Sequence, residues 1–142
     1  MALKDSATSR PVLDFFNRLS ICHEDYHITL LHVLRKPSAS EELMGKKFAE
    51  HERARVLSFL QRARDRLVEI GYSPDKIQIK LVTEPYPTIA EGIIDQFEKG
   101  SFDMVVIGRK SMSRAEEFVL GDVSAKLVRS LVGTAVLVVR SN

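Results

Sequence analysis

The chain is expected to fold as an open, doubly wound α/β domain: a mostly parallel five-stranded sheet with helices on both faces. Three observations carry that expectation. Short apolar runs alternate with longer amphipathic ones along the sequence, which is the order of βαβ units. The short runs, such as "ITLLHVL" and "DMVVIG", are apolar at consecutive positions, as strands covered on both faces are. The 142 residues suit one domain with a real core, and no repeat or linker divides residues 1–142. Crossovers between parallel strands should be right-handed.

Each element can be justified in turn. Only Met1, Ala2 and Leu3 precede the polar "KDSATS". Three residues span about 10 Å, roughly half a usual strand. The first strand is therefore expected to be short or missing: stunted, displaced, or supplied by another chain. Val12, Phe15, Phe16 and Leu19 then fall on one helical face, with Ser9 as N-cap and Pro11 in the first turn. Residues 27–34 read as a buried strand. After the loop "KPSAS", Ser38 and Glu41 form a capping box that opens a long helix to about Ile70. Its apolar face is Val56, Leu60, Ala63, Leu67 and Ile70, and Gly71 stops it. Residues 76–83 alternate as a strand, and "EPYP" breaks it. "TIAEGIIDQFEKG" is a helix with Ile89, Ile93, Ile94 and Phe97 inward, ending at Gly100. Residues 103–108 are a buried strand, "GDVSAKLVRSLVG" a short helix facing inward with Val123, Leu127 and Leu131, and residues 134–140 a last strand.

Composition excludes several classes. Hydrophobic content of 44% and charged content of 28% are those of a globular protein. A formal charge of +2, with no Trp and 7% aromatic residues, argues against a nucleic-acid groove. Cys22 is alone, which fits a reducing cytoplasm and rules out a cysteine metal cluster. No apolar run reaches the ~18 residues of a membrane span, and "MALKDSATSRP" lacks a signal-peptide core. There is no Gly-x-Ser-x-Gly elbow and no full P-loop, so no catalytic residues are assigned. His23, Glu24, Asp25 and His27 sit close together between a helix and a strand. A metal site is one reading of them, and the favoured one is a turn region, where polar residues collect anyway. His32, inside an apolar strand, reads as a satisfied core histidine. Arg53, Arg55, Arg62, Arg64 and Arg66 mix with Glu52 and Asp65 on a solvated helix face.

One stretch carries chemistry: "VVIGRKSMSRAEEFVLGDVS". Ligands of open α/β sheets bind outside the carboxyl ends of strands. Gly108, read as ending a strand there, has no side chain to block backbone amides from a phosphate or ribose. Gly121 opens a helix, whose free N–H groups favour an anion. Arg109 and Lys110 add positive charge. The plain alternative is a glycine turn and a capped helix with nothing bound.

"KDSATSRPVLDFF", "ITLLHVL", "DMVVIG" and "GDVSAKLVRSLVGTAVLVVR" resemble the opening turn and helix, second strand, fourth strand and closing helix and strand of the universal stress proteins. The resemblance spans nearly the whole chain and implies the adenine nucleotide alpha hydrolase-like fold. The family's ATP-binding members carry Gly-x-x-Gly, nine residues, then Gly-Ser or Gly-Thr. Here Gly108, two residues, Ser111, nine residues, Gly121 and Asp122 keep that spacing. The site implied comprises Asp5, Ser6, Val33, Ile107, Gly108, Arg109, Ser111, Gly121, Asp122, Val123 and Ser124. The best register sets Lys4 at the family's acidic position and Ser6 on its serine, and a slip of one residue restores the acid as Asp5.

Two departures weaken the site. Ser111 replaces the second glycine. Asp122 replaces the hydroxyl residue, caps the amides a phosphate would take, and repels it. At 4 Å that repulsion is about 4 kcal/mol at an effective dielectric of about 20, or roughly a thousandfold in affinity. Mg²⁺ would bridge the two charges and soften this, and Ser124 remains as a phosphate hydroxyl. The function expected is a non-enzymatic stress-response or signalling module with weak or no ATP binding. The alternative is an ATP-binding protein, with or without Mg²⁺, whose nucleotide or its slow hydrolysis switches partners. A third reading is an accessory domain of a larger chain. The resemblance also implies a homodimer through the apolar last strand, Ala135, Val136, Leu137, Val138 and Val139. No nucleic-acid or membrane partner is expected.

Overall fold

A computed structural model describes residues 1–19, 25–110 and 123–141. The chain is a mixed α/β fold with parallel strands. Its elements are α1 (Ser9–Arg18), β1 (Ile28–Arg35), α2 (Ala39–Leu43), α3 (Gly45–Glu69), a 3₁₀ turn (Pro74–Lys76), β2 (Ile77–Tyr86), α4 (Ile89–Lys99), β3 (Met104–Lys110), α5 (Val123–Ser130) and β4 (Ala135–Ser141).

Among the described residues, the five-stranded expectation is corrected to four strands in two parallel pairs. β1 pairs with β2 from Ile28↔Ile77 to Arg35↔Tyr86, and β3 with β4 from Met104↔Ala135 to Lys110↔Ser141. Ala2 alone stands for the first strand, bridging in parallel to Leu31 and to Ile107. Its N–H donates to the Val106 carbonyl at 2.9 Å, while Leu3 N–H donates to Leu31 O and Leu31 N–H to Met1 O, each at 2.8 Å. The polar residue Lys4 and the turn after it end the pairing, as the short apolar segment leads one to expect.

Strand neighbours divide between two cores, as period two requires. Leu30 and Val106 join Val12, Leu60 and Leu67 beneath α1 and α3. Leu31, Val33, Val105 and Ile107 join Ile93 and Leu127 beneath α4 and α5.

Several boundaries differ from expectation for local reasons. Thr8, not Ser9, is the residue before α1, and the Ser9 side chain is buried on Lys4 instead of capping. The long helix is interrupted at Gly45, whose φ of +82° a side chain would oppose. Ser38 still closes its turn: its N–H donates to Glu41 Oε2 at 2.8 Å and its Oγ at 2.7 Å. β2 runs through "EPY" to Tyr86, because Pro85 lies past the regular ladder, where a shift in pairing removes the need for its N–H. α3 buries its first residue at Val56, so its first turns stand clear of the core.

Candidate functional site

The carboxyl end of the short first segment is a tight polar turn. Ser6 N–H donates to Lys4 O at 2.7 Å and Ser9 N–H to Ser6 O at 3.2 Å. Ser9 Oγ accepts from Lys4 N–H at 3.2 Å and donates to Lys4 O. Ser6 Oγ and Thr8 Oγ1 share a hydrogen bond of 2.9 Å. The buried Ser9 hydroxyl thereby satisfies backbone groups that the strand would otherwise have paired.

Asp5 faces α3. Its Oδ2 lies 2.6 Å from Arg55 Nη1. The same guanidinium donates to both oxygens of Glu52, at 3.2 and 2.8 Å. Those hydrogen bonds to Glu52, and then the charges of Glu52 and Asp5, raise the Arg55 pKa. Beneath the turn, His32 Nδ1 sits 2.9 Å from Leu3 O, so the tautomer carrying hydrogen on Nδ1 makes this bond. Burial holds the His32 pKa below its ordinary value of 6.5, so the ring is neutral near pH 7. It is the satisfied histidine the sequence implied.

At β3 the structure corrects the reading of Gly108. The strand does not end there: Gly108 pairs with Val139, and Arg109 and Lys110 continue the ladder. The missing side chain leaves room for the first turn of α1. A Cβ on Gly108 would lie 2.6 Å from the Thr8 carbonyl oxygen and 2.9 Å from Val12 Cγ2. The glycine is required because the first turn of α1 crosses the strand.

The predicted site residues therefore divide. Val33 and Ile107 are buried in the α4/α5 core, with Val123 packed against it. Ser124 is buried in the first turn of α5. Asp5 and Ser6 lie on the opposite side, tied to Arg55 and Thr8. Ser111, Gly121 and Asp122, with His23 and Glu24, lie outside the described residues. Among the described residues no group of His, Cys, Asp and Glu side chains is placed to hold a metal. Among the described residues, the space beside Gly108 is filled by Thr8, and the Asp5 carboxylate is bound by Arg55.

Two cavities open elsewhere. One of about 340 Å³ lies between α1 and α3, lined by Arg10, Leu13, Asp14 and Arg66. The other, about 30 Å³, lies by the amino ends of β1 and β3 and includes Thr29, Phe97 and Met104. Neither reaches Gly108 or Ser124. Sequence reasoning missed Arg55 and Thr8, because each meets its partner only through the fold.

Comparison with known proteins decides the family. The model of the universal stress protein family matches residues 1–140. The chain belongs to the universal stress protein family. Among solved structures, a universal stress protein crystallised in complex with cAMP is similar in fold, with a TM-score of 0.63 at 17% identity. The match covers 100% of this chain and 95% of that one. No curated protein matches by sequence. For this universal stress protein, no helix among the described residues is long and apolar enough to cross a membrane.

Proposed function

We propose that the protein is a non-enzymatic stress-response or signalling module of the cytoplasm, working as a homodimer, with a degenerate nucleotide site of weak or no ATP affinity. The observation that carries this is the Thr8 carbonyl, 2.6 Å from where a Cβ of Gly108 would stand. The side of Gly108 that a side chain would take is here packed against the chain itself. The two strand pairs, stitched by Ala2, read as one doubly wound sheet whose carboxyl edge would bear the site. Calorimetric titration with MgATP checks this: negligible heat is expected, and low-micromolar affinity sinks it.

The second reading, a nucleotide-responsive switch, is favoured by the cAMP held by the similar solved protein. Mass spectrometry of freshly purified protein separates the two: co-purified nucleotide supports the switch, and clean protein the degenerate site.

For the homodimer, the support is β4. Among the described residues it pairs only with β3, and Val136, Leu137 and Val138 are half-exposed. Val128 and Val132 are exposed on and just after the neighbouring α5. A bare apolar edge invites pairing. Light scattering should give twice the chain mass, and Val138→Arg should return a monomer. A wild-type monomer that Val138→Arg leaves unchanged removes the idea.

A further inference from the structure

We infer that Arg55 is a clasp that holds the Lys4–Thr8 turn down over Gly108, and that releasing it raises affinity for nucleosides at the carboxyl edge. The second half rests on the nucleotide reading above, while the first does not.

Three observations converge. The turn is the cover itself, since its Thr8 carbonyl occupies the space that Gly108 leaves. Its one long-range side-chain tie among the described residues is Asp5 to Arg55, fifty positions apart and 2.6 Å long. The other side-chain bonds on the turn, Ser6 with Thr8 and Ser9 with Lys4, are local and move with it. Arg55 is itself fixed by the two-pronged contact to Glu52, so the clasp is anchored on α3.

The chemistry follows from donor strength. A free Asp5 carboxylate would accept from ribose hydroxyls or a base amino group, the usual role of an acid at such an edge. A guanidinium bonded to a carboxylate is roughly twice as strong a partner as a neutral hydroxyl. A neutral sugar therefore does not displace Arg55 from Asp5. Arg55 blocks the site twice, by occupying the acceptor and by keeping the turn in place.

The test uses Arg55→Gln, Asp5→Asn and wild type, each read by amide hydrogen exchange and by titration with MgATP and with cAMP. Both variants should speed exchange at residues 4–8 by about tenfold while protection in β1 and β3 is kept. Arg55→Gln alone should bind nucleotide more tightly, also by about tenfold, because it frees the carboxylate that Asp5→Asn lacks. Unchanged exchange at residues 4–8 overturns the clasp. Faster exchange with nucleotide bound no better than by wild type overturns the blocking role. If no form binds either nucleotide, the nucleotide reading fails and the blocking role falls with it, while exchange still decides the clasp.

Discussion

The two faces of the sheet are built differently. Among the described residues, the α1/α3 face gathers fourteen buried hydrophobic residues, and the α4/α5 face seven. The second face carries polar ties between its own elements. Tyr86 donates to Asp95 and Glu84, Gln96 donates to Tyr86 at 3.3 Å, and Lys126 pairs with Glu91 at 2.6 Å. Hydrogen bonding to Asp95, followed by burial, raises the Tyr86 pKa, so its hydroxyl stays a donor. Among the described residues more apolar surface is buried under α1 and α3, so a core truncation there is expected to cost more than one on the other face.

Truncation of one fully buried leucine on each face tests this first. Leu60→Ala should cost about 4 kcal/mol and Leu127→Ala about 3 kcal/mol by urea denaturation. Equal losses would erase the contrast. The two crowded glycines come next. A Cβ on Gly108 meets the Thr8 backbone, which cannot rotate aside, so Gly108→Ala should cost about 3 kcal/mol. A Cβ on Gly92 meets Val33 Cγ1 at 2.5 Å and the Tyr86 ring at 3.0 Å. These side chains can yield in part, and Ala gains about 1 kcal/mol of helix propensity over Gly. Gly92→Ala should therefore cost about 1 kcal/mol or less, and a larger loss than for Gly108→Ala would reverse the argument.

Thr88→Ala removes the hydroxyl that accepts from Glu91 N–H at 3.2 Å, and about 1 kcal/mol is expected to go with the cap. The smallest effect concerns His32. Its folded pKa is depressed by burial, so below 6.5 the unfolded chain takes up a proton that the folded one resists. Its contribution is whole above pH 6.5 and is lost as pH falls toward the folded value. Denaturation at pH 8 and pH 5 should show a smaller drop for His32→Asn than for wild type, and an identical drop would remove His32 from the account.

What the sequence made legible was local. The alternation of elements, the apolar face of α3 and the capping box of Ser38 and Glu41 are set within a few neighbours, and the short first strand follows from where "LKDS" turns polar. What was not legible depended on distant partners. Gly108 reads as punctuation because glycine usually ends strands, but β4 carries its ladder on to Lys110. "EPYP" reads as a break, yet β2 needs no ladder N–H at Pro85. Nothing near Asp5 announces Arg55, whose own surroundings look like an ordinary charged helix face.

The stitch at Ala2 has a consequence for how the chain assembles. β1 with β2, and β3 with β4, each close over one helical crossover, so either pair forms from a continuous stretch. Ala2 meets Ile107 only after about a hundred intervening residues are in place. Contacts of such sequence separation pay their loop-closure entropy late. The bridge at Ala2 is thus the last joint to form, and the two half-sheets are complete before anything welds them.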